Sequence, residues 1–205
     1  MKIQDFENEQ ITMGNEKSKA DKALAYLLEI LDAVVMAVFA MIVLFTFLIR
    51  IITVKGPSMN NTLHNGDILL LSSFAYEPKN GDIVVIESSA FGDTIIKRIV
   101  ATEGQTLDID YDDEGGCTVA VDGEIIEEDY IAEPMVDSDS FSQSFYDAEN
   151  TAYHYEVPRG YVFVMGDNRN SSTDSRTIGF VDTDEIVGKV VFRMYASEDS
   201  IGKVK

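Results

Sequence analysis

Cysteine is nearly absent. Cys117 stands alone among 205 residues, so no disulfide can form within the chain. Stability must then come from an apolar core, and a hydrophobic content of 45% suffices for one. The thiol follows Gly115-Gly116 with no histidine nearby in sequence, which suits a structural residue rather than a nucleophile. Histidine is scarce as well. His64 and His154 lie in no motif, which argues against a Ser-His-Asp triad, and their number argues against a metal centre. No cofactor is expected. Basic residues are few: 16 Lys+Arg face 36 Asp+Glu, for a net charge of −20. From residue 56 onward the balance is 10 to 29. Such a surface repels phosphate and excludes nucleic acid as a partner. It reads as a solvated acidic exterior, or as attraction for basic substrate segments. Internal repeats, low-complexity tracts and helical periodicity beyond Ile52 are also lacking.

One long apolar run is present. Residues 33–49 carry no charge, and 24–54 is mostly apolar, broken by Glu29, Asp32 and Arg50. A bilayer core needs about 20 helical residues, so a tilted helix over roughly 27–52 spans it. The run is too long for a cleaved signal peptide, and Thr53-Val54-Lys55-Gly56 offers no small-x-small site. It reads as an uncleaved signal anchor in a lipid bilayer. Lys17, Lys19 and Lys22 precede it and Arg50 and Lys55 follow, a slight bias toward a cytoplasmic N-terminus. The expected organisation is a polar, unstructured cytoplasmic tail (1–23), a transmembrane anchor (24–54) and an extracytoplasmic domain (55–205).

Within that domain, short β-branched and apolar runs alternate with turn signals: 68–71, 83–86, 95–100, 118–121, 161–165 and 186–194. Asp122-Gly123 is a two-residue hairpin signal. The fold class predicted is mainly β, antiparallel and partly barrel-like, behind a single transmembrane helix. Residues 134–150, rich in Ser and Asp, predict an exposed loop.

Three segments carry chemistry. Gly56-Pro57-Ser58-Met59 offers a serine in a tight turn. Thr94-Ile95-Ile96-Lys97-Arg98-Ile99-Val100 sets a lysine among apolar neighbours. Gly166-Asp167-Asn168-Arg169, with Ser172, Asp174-Ser175-Arg176 and Gly179, is a polar loop opened by glycine. A serine hydroxyl needs a base to become a nucleophile. A lysine, with an ordinary pKa near 10.4, supplies one only where burial favours its neutral form. Taken singly, the first two segments read rather as a turn serine and an edge-strand lysine, and the third equally as a salt-bridged turn.

Together, in this order behind an anchor, the three segments resemble the bacterial type I signal peptidases, membrane-anchored Ser-Lys endopeptidases that remove signal peptides. The resemblance runs from the anchor to Met194. It implies Ser58 as nucleophile and Lys97 as general base. It implies Ser172 as a hydrogen-bond partner of the lysine, Asp174 and Arg176 as a supporting ion pair, and Asp167 and Arg169 as structural partners in one loop. Ile52, Val54 and Ile96 would line shallow pockets admitting small side chains. The expected partners are signal peptides of exported pre-proteins, with the membrane's export machinery nearby. The chain departs from the family pattern at Gly56, where many members carry a small hydroxyl residue, and at Asn61, where the family has proline. A penicillin-binding Ser-x-x-Lys pattern fails, because Asn61 stands three residues after Ser58. The alternative is a catalytically degenerate anchored β domain that binds extracellular partners.

Overall fold

The computed structural model describes residues 2–111, 116–131, 133–136, 146–147, 152–198 and 200–204. Two compact units divide the chain, residues 1–47 and 48–205. Helix α1 (Lys2–Leu48) accounts for the first. Its Asp21–Val43 stretch has 23 residues, a mean hydropathy of 2.3 and no buried part. At about 1.5 Å per residue it rises roughly 35 Å, enough for a hydrocarbon core of about 30 Å. Leu27, Leu31, Val35 and Phe39 all stand exposed along it, apolar surface that lipid solvates and water does not.

The helix departs from expectation at both ends. It begins at Lys2, so the polar N-terminal residues are not a separate unstructured tail. It stops at Leu48, and the next five residues are a strand, β1 (Ile49–Thr53). Ile49, Ile51, Ile52 and Thr53 are β-branched, which favours extended backbone, and a neighbouring strand satisfies their peptide groups. The β-rich unit therefore starts at Leu48 rather than at residue 55.

The strands that follow are β2 (Ile68–Ser72), β3 (Ile83–Ser88), β4 (Asp93–Ala101), β5 (Thr106–Tyr111), β6 (Cys117–Val121), β7 (Glu124–Ile125), β8 (Tyr146–Asp147), β9 (Ala152–Glu156), β10 (Tyr161–Met165), β11 (Val181–Asp182) and β12 (Ile186–Tyr195). A four-residue helix, α2 (Ser175–Ile178), lies between β10 and β11. A seven-stranded antiparallel sheet has the order β1-β2-β12-β3-β4-β10-β11, and a five-stranded one the order β7-β6-β5-β9-β8. The fold is mainly β and antiparallel, as expected, but the sheets are open and form no closed barrel. Asp122 and Gly123 both have positive φ, 52° and 80°, the conformation a two-residue turn between β6 and β7 requires.

Core packing follows the period-2 rule. Along β3, Val84 and Ile86 join one buried cluster while Ile83 and Val85 join another with Val54, Met59, Leu63, Leu69 and Leu71. The second cluster lies under the Ser58 turn. A third gathers Leu107, Ile109, Tyr153, Tyr155, Phe163 and Met165. The expected exposed loop falls mostly outside the described residues. Of those described, Met135 is buried and Tyr146–Asp147 pairs with β9. Cys117 begins β6, half-buried, and burial first, with the Glu128 charge, pushes its thiol up to about 12, as befits an inert structural residue.

Candidate active site

Ser58 sits in the connection between β1 and β2. Val54 N–H donates to the Asp67 carbonyl (2.9 Å) and Gly66 N–H to that of Val54 (3.0 Å), closing a loop that carries the serine. Inside it, Asn60 N–H donates to Pro57 O (2.9 Å) and Leu63 N–H to Met59 O (2.8 Å). Gly56 has φ +84°, which a side chain would strain. Asn61 has φ +86°, a conformation closed to proline, and its Nδ2 donates to Tyr130 O at 2.8 Å. The family's proline could not occupy that backbone.

Lys97 lies in β4 opposite Val84 of β3. It is 3% exposed, and its Nζ is 2.8 Å from Ser58 Oγ. Burial pushes the amine below the ordinary lysine value. The Asp174 and Asp167 carboxylates oppose that lowering, and the Arg176 charge adds to it. A lysine whose neutral form is favoured by burial, in reach of a hydroxyl, can act as a base toward it.

The glycine-opened loop closes the site from another side. Asn168 N–H donates to Ser58 O (3.1 Å) and Asn168 Nδ2 to Pro57 O (3.1 Å). The Pro57 carbonyl and the Ser58 N–H belong to one planar peptide, so fixing the carbonyl also fixes where the N–H points. Among the described residues no hydrogen bond engages that N–H, which leaves it available to a developing oxyanion. Gly56, lacking a side chain, adds no second donor there.

Asp174 and Arg176 form the expected ion pair. Both are buried, with Nε to Oδ1 and Nη2 to Oδ2 at 2.8 Å each. Burial alone would raise the Asp174 carboxyl. Arg176, the Gly166 N–H (2.9 Å) and the Ser172 hydroxyl more than offset it and hold the group below the usual carboxylate range. Two expectations are corrected. Ser172 makes no hydrogen bond to Lys97: its Oγ is buried without a partner of hydrogen-bond geometry among the described residues, although it lies near enough to Asp174 to affect that carboxyl. Asp167 and Arg169 do not pair with each other. Arg98 grips Asp167 through Nε (2.8 Å) and Nη2 (2.7 Å), and Arg169 takes Glu128 through both Nη atoms. Asp174 caps the short helix that carries Arg176 and meets it there, whereas Asp167 turns to Arg98 of β4 and Arg169 to Glu128, so these two charges find their partners on other segments. These pairs are buried, not the surface bridges of small worth considered for an isolated turn.

Residues that sequence reasoning gave no role complete the frame. Thr62 Oγ1 donates to Asp167, tying the serine segment to the polar loop. The Tyr130 ring lies 4.0 Å from the Arg98 guanidinium and 5.8 Å from that of Arg169. The Arg98 position lies beside Lys97 in the lysine segment read from the sequence. Ile52, Val54 and Ile96 line one cleft of about 550 Å³ together with Ser58 and Lys97. Val54 is buried, and the two isoleucines are half-buried.

A family model described as "Signal peptidase, peptidase S26" matches residues 27–195. The chain belongs to this family. Among curated proteins, it is 33% identical over 153 residues to "Probable signal peptidase I-1" of Synechocystis sp., covering 69% of each chain. It is 31% identical to "Signal peptidase I T" of Bacillus subtilis, over 90% of this chain and 93% of that one. To "Signal peptidase IB" of Staphylococcus aureus it is 31% identical, over 82% and 90%. The chain is a signal peptidase I and a serine endopeptidase, and a Ser-Lys dyad is general in this family.

Proposed function

We propose that Ser58 and Lys97 are the reacting pair of this signal peptidase I, and that the cleft beside them holds the residues preceding the cut. The observation that carries this is the 2.8 Å approach of a buried lysine amine to a serine hydroxyl. Neutral Lys97 takes the Ser58 proton as Oγ attacks the scissile carbonyl carbon. The oxygen that becomes negative faces the Ser58 N–H. Protonated Lys97 then gives its proton to the leaving amine, the new N-terminus of the mature protein. Water, losing a proton to Lys97, attacks the ester on Ser58 and frees the signal peptide with a C-terminal carboxylate. Asp174, Arg176, Asp167 and Arg169 hold the frame and do not react.

The substrate strand has room. Residues 93–97 of β4 pair with β3 on one side, while β10 joins β4 only from Arg98 onward. The β1 strand pairs with β2 and leaves its outer edge open. An extended peptide adds its backbone to such edges. Ile52, Val54 and Ile96 then meet alternate side chains and favour small ones. Substrates are pre-proteins bearing signal peptides. Helix α1 anchors the enzyme across the plasma membrane with the N-terminus cytoplasmic and the β unit outside, beside the export machinery.

The test is cleavage of a purified pre-protein by the full chain in detergent, with the new N-terminus read by mass spectrometry. A single cut after a small-x-small pair is expected. Intact precursor, for several precursors, would instead favour the non-catalytic binding domain.

A further inference from the structure

The family match ends at residue 195, yet the chain does not leave the site there. Asp67, fully buried, is the residue on which the Ser58 loop closes: its carbonyl holds Val54, and its Oδ2 accepts from His64 N–H at 3.1 Å. The other partners of its carboxylate come from the far end of the chain. Ser197 gives Oδ1 both its N–H (2.8 Å) and its hydroxyl (2.9 Å), and Arg193 Nη1 lies 3.3 Å from Oδ2. The segment then turns back on β12. Arg193 N–H donates to Gly202 O (2.7 Å) and Gly202 N–H to Arg193 O (3.1 Å). Val204 packs into the cluster that contains Val54, Met59 and Leu63, the apolar floor of the serine loop.

We propose that Ser197, acting through Asp67, is a positioning residue for the nucleophile, and that residues 196–198 and 200–204 belong to a strap fixing the serine loop. This rests on Ser58 being the nucleophile. Proton transfer and attack both depend on Ser58 Oγ staying within hydrogen-bond reach of Lys97, and a misplacement of about 1 Å costs on the order of 100-fold in rate. Loop 54–67 has no strand of its own between β1 and β2. The Asn168, Thr62 and Asn61 contacts hold it on one side and the Asp67 hub holds it on the other. A buried carboxylate that loses two of its donors shifts to regain them or takes up water, and the loop shifts with it.

The test uses the full chain in detergent with one pre-protein substrate. Ser197→Pro removes both donors, Ser197→Thr keeps both, and Ser58→Ala serves as reference. Ser197→Pro is expected to lower kcat about 10- to 100-fold with KM within about twofold, at a temperature where circular dichroism shows it folded. Its ascending pH limb should stay at the wild-type position, because Lys97 is untouched. Ser197→Thr should cleave like wild type. A folded Ser197→Pro with wild-type kcat overturns the strap, as does a rate loss that only tracks the unfolded fraction. If Ser58→Ala still cleaves, the nucleophile assignment falls and the strap with it. If Ser58→Ala is dead while Ser197→Pro is unimpaired, the strap alone falls.

Discussion

Lys97→Met leaves a folded protein that no longer cleaves pre-protein. The methionine fills much of the same space, but its thioether sulfur is far too weak a base to take the Ser58 proton, the role proposed for Nζ at 2.8 Å from that oxygen. General-base catalysis accounts for about 10²–10⁴ in rate, and in the proposed mechanism the same amine also protonates the leaving group and activates water. Cleavage should fall to the background of the Ser58→Ala enzyme. The variant should at the same time be more stable than wild type near neutral pH. In the folded state burial lowers the Lys97 pKa, whereas the unfolded lysine keeps a value near 10.4. Between the two values the unfolded chain binds the extra proton, so Lys97 weakens folding at neutral pH, and that handicap disappears as pH rises toward the unfolded value. An apolar replacement removes it, with a gain on the order of 1 kcal/mol and a rise in Tm of about 2–4 °C. A dead but more heat-stable Lys97→Met, measured by cleavage and calorimetry together, distinguishes a catalytic lysine from a structural one, whose loss would lower Tm.

Gly166→Ala should be nearly as damaging to activity, for a steric reason. A Cβ on Gly166 collides with the Ser172 hydroxyl and the Ser58 carbonyl oxygen, and comes to 2.6 Å from Ser172 Cβ. The Ser58 carbonyl is backbone and already accepts from Asn168 N–H, so it cannot retreat without taking the nucleophile along. Overpacking of this kind costs about 1–3 kcal/mol in stability. Displacing Ser58 from Lys97 should lower kcat by about 100-fold or more. Gly56→Ala is the comparison. It meets open space, so its penalty comes from the positive φ alone. A Gly166→Ala enzyme as active as wild type in a pre-protein assay would mean that the Gly166 loop and the Ser58 turn are farther apart than described.

The strands that carry β-branched or apolar runs could be read directly from sequence. Residues 68–71, 83–86, 95–100, 118–121, 161–165 and 186–194 all lie in strands of the fold. Those not anticipated have physical reasons. In β5, Leu107 and Ile109 are buried while Asp108 and Asp110 point away from the core, so the strand never forms an apolar run. In β9, Tyr153 and Tyr155 supply the apolar face, with His154 between them. The β1 strand continues the apolar segment of α1 without a break, and hydrophobicity alone cannot place the change from helix to strand at Ile49. At the site, only the three segments taken together, in their order behind the anchor, pointed to Ser58 and Lys97. They did not announce which charges would meet. Arg98 with Asp167, and Arg169 with Glu128, depend on how β4, the stretch near Tyr130 and the polar loop fold against one another. The Ser197–Asp67 contact joins residues 130 apart in the chain, which no local pattern encodes.

The proposed mechanism requires Lys97 to be neutral when Ser58 attacks. The measurement that bears on it most directly is the pH dependence of kcat/KM for one pre-protein, with the enzyme folded at every pH. A neutral Lys97 predicts that activity rises with pH through an apparent pKa well below about 10.4 and is already substantial near neutrality. An ascending limb near 10.4 would mean that the lysine is not perturbed by its site, and the Ser58–Lys97 mechanism would be contradicted.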